Sequence, residues 1–508
     1  MNFARVNSIA VVGLTPSLVD VEVNIEEQAL PKFEIVGLPG KAVEESKERV
    51  RSAIKSAGFK YPNKKIVVNL APADVTKEGP IYDLPIALGI LCATNQIKND
   101  KLDKHIFLGE LSLSGEIRGV RGVLPAGIFS RQNGYIVVAP TDNKQELEIV
   151  EGLSYLASNG LYSLVSTLKS ESLEYRISSG QNQNIDEFKE EYIDFKFIKG
   201  QELAKRAIEI AAAGGHNILL DGPPGCGKSL LAKAFPTILP DLSHEEQLEV
   251  SSIHSIVGLN QQGILSKRPV RSPHHSISKA GLVGGGTKIK PGEISLAHRG
   301  VLYLDEFPEF PRSVLESLRQ PMEDGVVTIS RVMGNISFPA KFMLVASQNP
   351  CPCGYYGTNI KECKCTLTNV NRYRSKVSGP LIDRIDIFIS LDPVKIEKLL
   401  SAEEDEGIDS SKDVRERVKL ARDIQSLRFE GQGTITNSEI PVSKVKQYCE
   451  IESDTRQLLT DAGNNYGLSA RAINRVLKVA RTIADLAGSH NIKSEHVAEA
   501  LQYRKVES

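Results

Sequence analysis

Two successive α/β units followed by a helical C-terminal region are the architecture this sequence predicts, and three observations predict it. β-like runs alternate with helical ones from the N-terminus to about residue 170. After a polar stretch, a second set of short apolar strands begins, one of them running straight into a glycine-rich loop and a helix. Beyond residue 396 the apolar residues recur mainly at helical period.

In the first unit, Ile9–Leu14, Val19–Ile25, Lys65–Leu70 and Tyr135–Ala139 read as strands. Lys41–Ala57 reads as a charged amphipathic helix, and Lys41, Lys47, Arg49, Arg51 and Lys55 on it form either a DNA face or a solvated one. Residues 178–192 (SSGQNQNIDEFKEEY) are polar and nearly free of large aliphatics, which marks a linker. The second unit opens near Ile193 with strands at Asn217–Leu220, Gly300–Leu304 and Phe342–Ala346, and closes near Pro393. Helices are expected at Glu452–Ala462, Ala470–Ala487 and Glu495–Gln502, and the acidic run Ser401–Asp413 as a solvated loop or helix end.

Composition bounds the class. The 508 residues are too many for one domain. Hydrophobic residues make up 41% and charged residues 25%, as in globular proteins. With 62 Lys+Arg against 63 Asp+Glu there is no global nucleic-acid footprint, although a local basic surface remains compatible with this balance. Met1–Val12 lacks the charged n-region and long apolar h-region of a signal peptide, and no stretch is long and apolar enough to span a membrane. The expected compartment is the cytoplasm. Four of the seven Cys cluster tightly, which fits metal binding in a reducing compartment better than a disulfide framework.

The glycine-rich loop carries the chemistry. Gly222, Pro223, Pro224, Gly225, Cys226, Gly227, Lys228 and Ser229 spell G-x-x-x-x-G-K-S between an apolar strand and the helical Leu230–Leu239. Glycines let backbone N–H groups wrap phosphates, and the helix N-terminus turns its positive dipole end toward them. Lys228 is expected to reach the β- and γ-phosphates of ATP, and Ser229 the Mg²⁺. The strand Gly300–Leu304 ends in Asp305, placed to hold Mg²⁺ through water, and Glu306, placed to polarise the attacking water.

These motifs, in this order, resemble the AAA+ superfamily. The resemblance implies a sensor-1 role for Asn349, a trans-acting arginine finger at Arg384 and a sensor-2 role for Arg471. It also implies an adenine-packing segment at FKFIKGQ (195–201), with Ile198 in it, and a homo-hexameric ring. The interval from Lys228 to Asp305 is longer than a minimal P-loop ATPase needs. It contains RPVRSPHHSISK (268–279) and GGGTKIK (284–290), which look like the helix-2 insertion of magnesium chelatase and its relatives. A second candidate insertion is the hairpin around Val326–Ala340. Lys279, Lys288, Lys290 and Arg331 are the candidate DNA contacts, since basic residues on glycine-rich loops can track a phosphate backbone. The alternative is a pair of structural loops packed on the ATPase core.

Cys351, Cys353, Cys363 and Cys365 form C-x-C…C-x-C around a short loop. Four thiolates can close a tetrahedral Zn²⁺ site, though the spacing is tighter than the usual C-x₂-C; the other reading is four reduced structural cysteines.

LAHRGVLYLDEFPEF (296–310), LRQPMED (318–324) and QNPCPCG (348–354) closely resemble the magnesium-chelatase-like competence proteins of the ComM (YifB) family, over essentially the whole chain. Within it, APADVTKEGP (71–80) and GELSLSG (109–115) resemble the Lon protease catalytic domain, an α/β fold akin to ribosomal S5. The Lon nucleophile and general-base positions here are Ile81 and Leu124, so this domain is expected to be non-proteolytic.

The resemblance thus implies a Lon-like domain over 1–175, a linker over 176–192, a P-loop AAA+ αβα sandwich with both insertions and the Cys cluster over 193–395, and a helical lid over 396–508. It implies an ATP- and Mg²⁺-dependent helicase acting on single-stranded or branched DNA. Branch migration during homologous recombination in natural transformation is the family role, with recombination proteins as candidate partners. A magnesium-chelatase motor subunit and an ATP-dependent protease are the competing readings.

Overall fold

The computed structural model describes residues 2–27, 30–98, 102–170, 174–180, 193–259, 265–286, 289–331, 334–394, 409–431 and 436–504. Most of the expected linker, Lys288 and the acidic run 401–408 lie outside the described residues. The chain divides into two compact units: 1–186 with 244–266 and 330–338, and 187–243 with 267–329 and 339–508.

The first unit is built on an eight-stranded sheet. Phe3–Val12 and Thr15–Glu26 form a long antiparallel hairpin in its middle, with Val12 opposite Thr15. The sequence expectation started this first strand at Ile9 and ran it to Leu14. The strand ends earlier because Gly13, at φ +63°, turns the chain, and it starts earlier because Ala4 and Val6 are core residues. Along Thr15–Glu26, Val19, Val21, Val23 and Ile25 are buried while Asp20, Glu22 and Asn24 alternate outward, the period-2 signature of a half-buried strand.

Every residue of the helix Asp83–Ala93 is buried. Its run of Leu, Ile and Ala is apolar all round, so it can only sit inside a core. Gly89 lets it close on the hairpin: a Cβ there would lie 2.5 Å from a Val23 methyl. The buried Asp83 at its start accepts from Arg49 Nε at 2.6 Å, from the Leu111 N–H at 3.2 Å and from Ser46. Burial pushes the Asp83 carboxyl above its ordinary range despite these bonds. Arg49 is therefore a structural partner and leaves the candidate DNA face. The helix expected at Lys41–Ala57 forms as two pieces, Lys41–Glu44 and Ser46–Ser56.

The helix His244–Val257 belongs to this same unit, although its sequence lies between two segments of the other. Ser255 Oγ donates to Glu146 Oε2 at 2.6 Å, and the Leu124 N–H donates to the same oxygen at 3.0 Å. Leu124 and Ile81 are both buried in the aliphatic core, so neither position offers a proton-transfer group.

The second unit is a three-layer α/β sandwich. The five strands of its central sheet are all parallel, in the order Val270–Arg271, Val301–Leu304, Met343–Gln348, Ile218–Asp221, Ile387–Ser390. The three inner ones are almost wholly buried and read as continuous apolar runs, as strands covered on both faces must. The helix Glu202–Gly214 covers one side with Ala204, Ala207, Ile208 and Ala211.

The C-terminal helices Ser411–Arg428, Ser453–Tyr466, Ala470–Leu486 and Ser494–Gln502 form the helical region. Ser410 and Asp413 cap the first of them reciprocally, which gives the end of the acidic run a structural role. Arg428 holds Asp485 with two bonds of 2.8 and 2.6 Å, and Gln425 Nε2 donates to the Ala213 carbonyl at 3.0 Å, tying these helices to the sandwich. Among the described residues no helix is long and apolar enough to cross a membrane.

Candidate nucleotide site

Three adjacent parallel strands, Ile218–Asp221, Val301–Leu304 and Met343–Gln348, end at the same edge of the sheet. That edge is where a parallel α/β sheet presents functional groups, because the loops leaving neighbouring strands diverge there. The glycine-rich loop leaves the first strand. Gly225 and Gly227 take φ of +79° and +97°, and a Cβ on either would meet nothing within 4 Å. Side-chain-free space thus surrounds both residues, and the helix Lys228–Ala234 begins directly behind them. Gly222, Pro223 and Cys226 are buried under the loop, while Pro224, Ser229 and Leu230 are exposed.

Lys228 lies across the loop. Its Nζ donates to the Gly222 and Pro223 carbonyls at 2.5 and 2.9 Å and to Asn349 Oδ1 at 3.1 Å. The sensor candidate on the third strand's exit therefore touches the lysine expected to reach phosphate. Ser229 Oγ is 3.4 Å from Asp305 Oδ2, so the two candidate Mg²⁺ ligands face each other. Ser347 donates to the other Asp305 oxygen, and the Glu306 N–H donates to that oxygen at 2.9 Å. A hydroxyl and a carboxylate oxygen at this separation suit a hard, oxygen-seeking cation.

Glu306 holds a left-handed backbone, φ +51°. This is a costly conformation for a non-glycine residue, and one that recurs where a side chain must be aimed. Its carboxylate is exposed, with Oε2 3.3 Å from His275 Nδ1. His275 in turn packs against His274, ring centroids 4.0 Å apart, and edge-on to Phe310 at 6.4 Å.

His275 came into the sequence argument only as part of an insertion. Gln201, in the segment expected to pack on adenine, donates through Nε2 to the Cys226 carbonyl at 3.2 Å and to the Asp392 carbonyl at 2.5 Å, joining the glycine-rich loop to the exit of the last strand. Ile198 is buried in the core beside it, and the neighbouring Phe197 is 68% exposed.

Arg384 and Arg471 sit elsewhere. The Asn217 carbonyl accepts from the Asp386 and Ile387 N–H groups, both at 3.0 Å, and the Asn217 side chain donates to the Arg384 carbonyl at 3.2 Å. Asn217 precedes the first residue of the P-loop strand, so Arg384 lies at the opposite end of that strand, roughly 13 Å of extended chain from the loop. Arg384 is only 9% exposed; it pairs with Glu323 and donates to the Pro380 carbonyl at 2.8 Å. Arg471 approaches the same Glu323 at 4.0 Å with its side chain 65% exposed. Nearby, burial pushes the Asp386 carboxyl up, but Arg475, His216 and the Asn217 N–H outweigh it and hold it well below the carboxylate range.

The four clustered cysteines converge: their Sγ atoms all lie within 4.8 Å of one another. The Cys351–Cys353, Cys353–Cys363 and Cys351–Cys363 separations are 3.4, 3.6 and 3.7 Å. Crowding splits these thiols: backbone N–H groups, Tyr355 first, pull Cys353 down, while burial and the neighbouring thiols push Cys363 and Cys365 up.

Of the candidate DNA contacts, Lys279 opens the helix Lys279–Val283 and is exposed, and the exposed Lys290 lies in a strand paired with Gly284–Gly285. Lys288 and the Arg331 side chain lie outside the described residues. Two other basic residues of the same stretch are structural: Arg271 grips Glu293 with bonds of 2.5 and 2.9 Å, and Arg268 donates to the Pro240 and Arg299 carbonyls at 2.9 and 2.7 Å.

Comparison with known proteins places these features in a family context. The family model described as magnesium chelatase, subunit ChlI, matches residues 194–399. Companion models for subunit ChlI of Mg-chelatase and the ChlI C-terminal region match 21–143 and 408–504. The competence protein ComM of Haemophilus influenzae is 42% identical over 99% of this chain and 98% of its own. An uncharacterized protein YifB of Escherichia coli is 41% identical over 100% of this chain and 98% of its own. The magnesium-chelatase 38 kDa subunit of Rhodobacter capsulatus is 29% identical, over 30% of this chain and 49% of its own.

Proposed function

This chain belongs to the magnesium-chelatase-like family that includes ComM and YifB, and from that premise we propose that it is an ATP-driven motor that works on DNA as a homo-hexameric ring. The observation that carries the motor reading is the meeting of Lys228, Ser229, Asp305, Glu306 and Asn349 at one edge of the parallel sheet. Lys228 and the loop amides bind the triphosphate of ATP. Ser229 and Asp305 hold Mg²⁺, Glu306 draws the proton from the attacking water, and Asn349 orients that water. Ile198, Gln201 and the exposed Phe197 border the place for adenine.

Arg384 lies at the far end of the P-loop strand, which supports its action on a nucleotide held by the neighbouring subunit, and Arg471, the expected sensor-2 arginine, approaches the same Glu323. In this reading a ring lets the next chain complete each site. Lys279, Lys288, Lys290 and Arg331 are the residues through which such a ring would follow a phosphate backbone. Full-length similarity to a competence protein favours helicase and branch-migration work on recombining DNA over metal insertion into a porphyrin.

The test is ATPase rate and oligomeric state measured with single-stranded, duplex and branched DNA. Stimulation by DNA with ATP-dependent movement of a four-way junction is expected. A rate indifferent to all three, with no junction movement, overturns the DNA reading and returns the chelatase-type motor to first place.

A further inference from the structure

The segment from Pro350 to Cys365 lies between the sensor candidate and the helix Leu367–Arg374, and among the described residues it contains no helix or strand. Its internal backbone bonds are two turns, Gly354 N–H to the Cys351 carbonyl at 2.9 Å and Thr358 N–H to the Tyr355 carbonyl at 3.2 Å. Yet the segment is packed against the phosphate loop. Gly354, at φ +85°, comes so close to Pro224 that a Cβ would lie 2.6 and 2.7 Å from its ring carbons. Asn349, two residues before the buried Cys351, accepts from Lys228 at 3.1 Å. On the other side, Arg374 Nε donates to the Pro350 carbonyl at 3.3 Å and its guanidinium lies 5.3 Å from the Tyr356 ring.

A chain this poor in regular hydrogen bonds needs a cross-link to hold two neighbours in register, and four converging thiolates are one. Sulfur-only donors select a soft or borderline cation, with zinc the common tetrahedral occupant.

We propose that a Zn²⁺ held by Cys351, Cys353, Cys363 and Cys365 acts as a brace for ATP turnover, fixing Asn349 and the Gly354–Pro224 contact against the phosphate loop. This rests on the four cysteines binding zinc; what it adds is that the metal site and the nucleotide site are one mechanical unit. Asn349 is the residue through which the brace reaches the reacting water, so the cysteines are positioning residues. By linkage, an occupied nucleotide site should also tighten the hold on zinc.

Three measurements on the full chain test this. Elemental analysis should find one zinc per chain. Stripping it with a chelator should lower kcat about tenfold or more and weaken ATP binding by the same factor by which nucleotide tightens the hold on zinc, and Zn²⁺ or Cd²⁺ but not extra Mg²⁺ should restore both. A non-hydrolysable ATP analogue should slow zinc release to a chromogenic chelator in the native chain and not in Lys228→Ala. The variant Gly354→Ala keeps all four thiols and should retain zinc while losing turnover, so the relay can be tested without removing the metal. A chain purified without zinc overturns the metal site and the brace together. Zinc that is present but whose removal leaves turnover unchanged, or whose release from the native chain the analogue does not slow, spares the metal site and overturns the brace.

Discussion

The guanidinium of Arg384 is closed onto the carboxylate of Glu323 in its own chain, with the arginine only 9% exposed. The same carboxylate lies 4.0 Å from Arg471. Arg384 also pulls the Glu323 carboxyl below its ordinary range. One acidic side chain thus gathers two cations at the end of the strand remote from the phosphate loop.

Arg384→Ala should cut ATP turnover by about 10³ if the residue meets a γ-phosphate across a subunit interface. Mixed rings of Arg384→Ala and Lys228→Ala chains should regain part of the activity, because some interfaces then join an intact arginine to an intact loop. Glu323→Gln should lower turnover less, by about tenfold, by freeing both arginines from their shared anchor. Steady-state ATPase on defined mixtures checks this; mixtures no better than either variant alone would place Arg384 in its own chain's chemistry.

Glu306→Gln should keep ATP binding and lose about 10²–10⁴ in kcat, the usual worth of a general base. His275→Ala should also lower kcat, by about tenfold, with ATP affinity unchanged, because the ring constrains the Glu306 carboxylate from 3.3 Å. Binding of a fluorescent nucleotide beside the hydrolysis rate separates the effects. Retained hydrolysis in Glu306→Gln would mean that another group activates the water.

The buried His216 gives a pH dependence of stability. Burial pushes its imidazole below the ordinary histidine value, and the nearby Asp386 only partly restores it. Between that lowered value and the unfolded value of about 6.5, the unfolded chain holds the extra proton. Stability from this site is therefore full above about pH 6.5 and declines as pH falls through the window below it. Melting temperature from pH 8 to 5 should fall more steeply for the native chain than for His216→Gln. Parallel curves would show that His216 does not titrate differently in the folded state.

The first unit should be proteolytically inert. The positions expected from the sequence for a Lon nucleophile and base are Ile81 and Leu124, and both are buried aliphatics. Casein incubated with the chain, ATP and Mg²⁺ should remain intact; its cleavage would require a nucleophile elsewhere in the unit.

Much of the sandwich was legible because its determinants are local. The apolar run Ile218–Leu220 just ahead of G-x-x-x-x-G-K-S can be read without a partner, and so can an apolar strand that ends in Asp305-Glu306. The C-terminal helices were legible for the same reason: their buried residues recur at helical period, as Val476, Val479, Ala480 and Ile483 do. The first hairpin was less legible at its start, since Phe3–Ser8 mixes charge with apolar residues and is a strand through its pairing with Val19–Asn24. Arg49 looked like any other cation on a charged helix until Asp83, 34 residues on, was seen to hold it.

By itself, then, the sequence determined the order of the elements, the phosphate loop, the Asp305-Glu306 pair and the aliphatic residues at positions 81 and 124. These rest on residue type and short spacing, which the chain carries wherever it folds. Tertiary structure decided what depends on distant segments meeting. It set His275 against Glu306 and Asn349 against Lys228, gathered Arg384 and Arg471 around Glu323, sent His244–Val257 into the first unit, and laid Gly354 on Pro224. The physical reason is that hydrogen bonds, ion pairs and packing act over a few ångströms, so partners far apart in the chain exist only once the sheet has brought them together.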